Sequence, residues 1–116
     1  MTHLKLVFLI ALFVGNTQLL SAQRNVIRVY PKQGTVVAKI HKPVRLVHHN
    51  INYHLANGIW YRARGRNYVV VAPPLGLQLR RLPKGNKLVV RNGRKLYRYK
   101  GVWYKKTGRH YTIVNV

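Results

Sequence analysis

The chain has 116 residues, 22 of them Lys or Arg, and not one Asp, Glu or Cys. That inventory excludes carboxylate acid–base chemistry, thiolate metal sites, disulfides and side-chain salt bridges. The only Ser is Ser21, so residues 23–116 hold no serine nucleophile either, and no enzyme is expected.

Residues 1–22 have the anatomy of a cleaved secretory signal. Lys5 supplies a positive start, Leu6 to Val14 is apolar, and Leu20-Ser21-Ala22 ends on a small residue before Gln23. The apolar run is well short of the ~20 residues that span a bilayer, so no transmembrane anchor is expected after cleavage. Export to the periplasm, the outer surface or the medium follows. Residues 23–116 then form a single small β-domain carrying 21 of the 22 basic residues. A disordered basic tail is the alternative, but 47% hydrophobic content with regular alternation favours a folded domain.

Val26 to Tyr30 is β-rich and stops at Pro31, and Pro31-Lys-Gln-Gly34 reads as a turn. Thr35 to His41 reads as a half-buried strand, and Val44 to Leu55 as a second extended run. Gly58-Ile-Trp-Tyr-Arg-Ala-Arg-Gly-Arg-Asn-Tyr-Val-Val-Val71 follows as a hairpin turned at Arg64-Gly65. After the break at Pro73-Pro74, Leu77 to Arg80 makes a short strand and Leu82-Pro-Lys-Gly85 a turn. Lys87 to Arg91, Asn92-Gly93 and Arg94 to Tyr99 form a two-residue hairpin, since Asn-Gly suits the type I′ turn. Gly101-Val-Trp-Tyr-Lys-Lys-Thr-Gly-Arg-His-Tyr-Thr-Ile-Val114 then repeats the Gly58 stretch, identical at seven of its fourteen positions and turned at Thr107-Gly108. The fold class is all-β: an antiparallel meander of short hairpins from two tandem repeats, about 30–72 and 82–116. Eight to ten strands are expected, in a barrel-like closure or an open, folded-over sheet.

Tyr68-Val-Val-Val-Ala-Pro-Pro-Leu-Gly76, Leu82-Pro-Lys-Gly85, Gly93 with Leu96-Tyr97, and Gly101-Val-Trp-Tyr104 occur in that order. The pattern resembles a family of small exported Gram-negative bacterial proteins of unknown function with YVVVAPPxG, LPxG, GxxYY and GxYY motifs. The resemblance covers roughly residues 30–116 and implies a periplasmic or outer-surface β-domain. It supplies no activity, cofactor or catalytic residue. Leu96 stands where that pattern has a Tyr, and the chain is far more basic.

His41, His48, His49 and His54 share one segment, with His110 distant. In one extended strand His48 and His49 would face opposite ways and His54 would lie about 20 Å along from His48. Solvated or packed histidines are therefore expected, and no metal or other cofactor.

The basic residues interleave with aromatics. Arg62, Arg66, Arg80, Arg81, Lys84, Lys87, Arg91, Arg94, Lys95, Arg98, Lys100, Lys105, Lys106 and Arg109 are the candidate polyanion contacts, with Tyr61 and Tyr104 as candidate stacking rings. One member of each Trp-Tyr pair should point into the core, with Trp60 and Trp103 the expected core residues. Tyr97 and Tyr99 would share one strand face and Arg98 and Lys100 the other.

The primary reading is a non-enzymatic domain that holds anionic envelope or extracellular polymers by charge, without nucleic-acid sequence specificity. Lipopolysaccharide, acidic polysaccharide and nucleic acid all fit. A structural or assembly module that binds an envelope protein is the alternative, and a cationic membrane-active protein a further one, disfavoured by the absence of an amphipathic helix. The oligomeric state stays open.

Overall fold

The computed structural model describes residues 27–116, so the expected signal segment lies outside the described residues. All regular structure among them is β, in ten strands and two antiparallel sheets. The first sheet holds β1 (Val36–Val37), β2 (Val44–His48), β3 (Ile51–Ala56), β4 (Ile59–Arg64) and β5 (Asn67–Val70). The second holds β6 (Gln78–Leu79), β7 (Lys87–Arg91), β8 (Arg94–Tyr99), β9 (Val102–Thr107) and β10 (His110–Val114).

The two sheets follow one plan. Strand order is β1-β5-β4-β3-β2 in the first and β6-β10-β9-β8-β7 in the second. Both begin with the same clamp. Gly34 N–H donates to the Val70 carbonyl and Val70 N–H to the Thr35 carbonyl, each at 2.8 Å. Gly76 and Ile113 repeat the pattern with Leu77 at 2.9 Å. Neither sheet closes into a barrel. The edge strands β1 and β2 of the first sheet do not pair with each other, nor do β6 and β7 of the second, and β1 and β6 are only two residues long. Short edge strands of this kind also offer little template for edge-to-edge pairing.

The turns correct several boundaries. His49 and Asn50 both have positive φ (49° and 63°), so they form a two-residue turn that splits Val44–Leu55 into β2 and β3. Their counterparts are Asn92 and Gly93 (50° and 74°), where the turn was evident from composition. At the other hairpin Gly65 and Gly108 are the first central residues, not the second, so the turns are Gly65-Arg66 and Gly108-Arg109. A glycine first with φ near 60° is the type II′ arrangement. Ile27 to Tyr30, the described part of the segment before Pro31, joins no sheet. Val29 is buried instead, and Tyr30 N–H bonds the Lys100 carbonyl at 3.1 Å. Likewise only Val36–Val37 of the expected Thr35–His41 strand pairs.

Register assigns the faces, because cross-strand partners point the same way. In the first sheet Leu55 pairs with Trp60 on one face, and His54, Tyr61 and Val70 line up on the other. Both faces are buried around β4, with Trp60 1% and Tyr61 6% exposed. In the second sheet Tyr97, Tyr104 and Ile113 form one inward row. The rings repeat the plan too: His54 meets Tyr68 edge-on at 5.6 Å, and Tyr97 meets Tyr111 edge-on at 5.6 Å.

The sheets are joined at the centre of one apolar cluster. Trp60 Nε1–H donates to the Tyr104 hydroxyl at 2.9 Å, with Leu77, Val102 and Ile113 packed in the same cluster. Burial pushes the Tyr104 phenol up to about 12, although the bond from Trp60 acts in the opposite sense.

Two predictions follow from this core. Replacing Tyr104 by Phe strands the buried indole N–H and should cost about 1–3 kcal/mol in denaturant unfolding. The folded phenol lies above its usual 10.0, so its share of stability is complete below pH 10 and lost as pH rises toward 12. That alkaline loss, at most about 1.4 kcal/mol per pH unit, should be missing in Tyr104→Phe. Separately, a Cβ at Gly101 (φ 84°) would overlap the backbone carbonyl of Arg28, whereas one at Gly93 meets open space. Gly101→Ala should therefore destabilise by about 2–4 kcal/mol, and Gly93→Ala by only the ~1–2 kcal/mol of the left-handed conformation. Equal melting temperatures for the two variants would contradict the close packing of the Val29 segment on the β8–β9 turn.

Candidate anion-binding face

The outward face of the second sheet is built by two consecutive turns. The Asn92-Gly93 turn sets Arg91 opposite Arg94, Val89 opposite Leu96 and Lys87 opposite Arg98. The Lys100-Gly101 turn then sets Arg98 opposite Trp103. Alternation adds Lys105, two residues on from Trp103. Five cations and one indole thus share a face.

Trp103 sits at its centre, half-buried. The Arg91 guanidinium carbon lies 4.8 Å and that of Arg98 5.2 Å from its ring centroid. Such stacking contributes about 0.5–1 kcal/mol per contact at exposed sites. Beneath the arginines Leu96 is buried and floors a hollow of about 470 Å³, rimmed by Arg91, Arg94, Lys105 and Asn115. A second hollow of about 260 Å³ lies on the other side of Trp103, lined by Arg28, Arg98 and Asn115.

Two rungs of the β7–β8 ladder place cation directly opposite cation, an arrangement that destabilises a strand pair. The sequence offers no carboxylate side chain to relieve it. At the corresponding rungs of the first sheet stand Val44 opposite Leu55 and His48 opposite Ile51. The same backbone positions are mainly apolar in one half and cationic in the other. In the first half this face carries Trp60 into the core; in the second it carries Trp103 to the surface.

The remaining candidates are scattered. Arg62 is exposed on the first sheet, and Arg66 and Arg109 are at hairpin tips. Lys84 precedes β7, and Arg80 and Arg81 follow β6 at a bend. Lys95 and Lys106 alternate with the basic-face residues and so point to the opposite side. Lys100 is in the β8–β9 turn, its Nζ 5.4 Å from the Tyr99 ring. Tyr61 and Tyr104 are in the core and present no ring to a ligand. Tyr97 packs on Tyr111, and the Tyr99 ring lies against Gly58 and Gly85, so neither contributes to the basic face. The aromatic residue that does is Trp103, which composition placed in the core. Its signal was available: the glycine-bounded turns set the register that aligns it with Arg98.

The histidines are also rearranged. The turn at His49-Asn50 brings His54 back opposite Arg45, and the His48 and His49 rings meet edge-on at 4.2 Å. Among the described residues no three histidines come close enough to share a metal ion.

Fold and face together define an all-β protein of two like sheets, one of which exposes a cationic, tryptophan-centred surface. Residues 23–116 match the model of a family of unknown function (DUF6515), and the chain belongs to that family. No curated protein and no solved structure matches it.

The two tryptophans should be separable by emission. Trp103, measured in Trp60→Phe, should emit to the red of Trp60, measured in Trp103→Phe. It should be quenched several-fold more by iodide than by caesium, because the surrounding guanidiniums concentrate anions. Equal quenching by the two ions would contradict the cationic surroundings of Trp103.

Proposed function

We propose that this protein is an exported, non-enzymatic β-protein that holds anionic polymers of the cell envelope or its surroundings on the outward face of its second sheet. The observation that carries the reading is the pairing of cation with cation at Lys87–Arg98 and Arg91–Arg94 around Trp103. A bound row of phosphates, sulfates or carboxylates would neutralise both rungs at once, and the indole would supply a stacking or sugar-packing surface. The apolar leader, Leu6 to Val14, supports export. Recognition by charge implies tolerance of polymer identity and no nucleic-acid sequence preference.

The test is a titration of lipopolysaccharide, an acidic polysaccharide and single-stranded DNA, read by Trp103 emission. Five contacts to a single strand predict roughly a hundredfold loss of affinity between 50 and 200 mM salt. The triple variant Arg91→Gln, Arg94→Gln, Arg98→Gln should flatten the salt slope by about two to three. A wild-type affinity indifferent to salt, with one saturable protein partner instead, would replace this reading with that of an assembly module.

A further inference from the structure

A third concavity lies where the two sheets meet and shares no residue with the basic face. It has a volume of about 490 Å³ and an apolar lining of Val44, Leu46, Leu55 and Leu79. Arg80, Arg81 and His110 stand around it. Its construction is specific to the first half. Val44, Leu46 and Leu55 project from one face of β2 and β3, as their pairing shows. At the matching positions of the second half stand Lys87, Val89 and Arg98, so the apolar lining has no counterpart there. Arg80 and Arg81 are consecutive and would point apart in a strand, but the chain bends at both, and both line the groove.

Val44 is 57% exposed and Leu46 and Leu55 are only partly covered, so an apolar strip faces solvent beside two guanidiniums without a counter-ion. The volume falls in the roughly 300–1,000 Å³ range of small-molecule sites. Apolar walls with a few convergent charged groups at the rim suit a ligand with an alkyl chain and an anionic head. One alkyl chain fits this volume. The fork of an arginine matches a carboxylate with two parallel hydrogen bonds. From this charge and shape complementarity we infer that the groove binds a single-chain, carboxylate-headed amphiphile of the long-chain fatty-acid class. Its alkyl chain lies along Val44, Leu46, Leu55 and Leu79, and its head meets Arg80 and Arg81.

The experiment is calorimetric titration of the purified protein with octanoate, decanoate and dodecanoate below their micelle concentrations, in 200 mM salt. Dodecanol and dodecyl phosphate serve as comparison ligands. Affinity should rise two- to fourfold per added methylene, the upper figure corresponding to ~0.8 kcal/mol per buried CH₂. The double variant Arg80→Gln, Arg81→Gln should weaken dodecanoate at least tenfold. Val44→Asn, at an exposed position, should weaken it several-fold with the melting temperature unchanged. The basic-face triple variant should bind dodecanoate as the wild type does, which separates this site from the polymer-binding face. Equal affinity for octanoate and dodecanoate, or for dodecanol and dodecanoate, would overturn the inference. So would binding of dodecyl phosphate without dodecanoate, or no binding at all.

Discussion

The structure depends on one buried hydrogen bond between its halves. Trp60 and Tyr104 are 1% and 0% exposed, and each carries a polar atom that burial would penalise if left alone. The indole N–H and the phenol oxygen satisfy one another at 2.9 Å, and no other buried side-chain polar atom among the described residues lacks a partner. Hydrophobic area alone would let two twisted sheets slide. A directional bond between two large aromatic residues fixes which side of the first sheet meets which side of the second. It also breaks the symmetry of the repeat, because Trp60 pairs with Tyr104 and not with Trp103.

That asymmetry accounts for the distribution of charge. With no acidic side chain in the sequence, every Lys and Arg must stay in solvent or lie over an aromatic ring. The first half gives up its Trp60 face to the core and therefore packs Leu46, Ile51, Tyr53 and Leu55 there, with Val44 at the exposed margin. The second half leaves the matching face outside, where Lys87, Arg91, Arg94 and Arg98 can be hydrated and can stack on Trp103. Duplication supplied two equivalent sheets, and packing one onto the other left their outward chemistry different. A cationic face and an amphipathic groove result from the same event.

Much of the fold was legible because glycine marks the turns and β-branched and aromatic residues fill the strands. Asn92-Gly93 and the repeated Gly-x-Trp-Tyr stretches identified the meander, and the repeat implied two copies of it. The turn at His49-Asn50 was hidden because neither residue is glycine, although its repeat partner is Asn92-Gly93. The short edge strands β1 and β6 were hard to bound because two residues carry too little alternation to define one. The site was half legible. Composition identified the cations, and alternation with the turn register could align Arg98 with Trp103. It could not tell which of two chemically similar faces would be covered.

The sequence by itself determined an all-β chain rich in Lys and Arg, with no Asp, Glu or Cys and no Ser after Ser21. It also determined the register of the Asn92-Gly93 hairpin, since a two-residue turn leaves the strands only one pairing. The Gly65 and Gly108 hairpins turn one residue later than the sequence implied. Tertiary structure decided the rest. Trp60 and Trp103 occupy the same place in the same motif, yet one is core and the other surface. The reason is that burial depends on what the second sheet brings against a face, and that contact is between residues 44 positions apart.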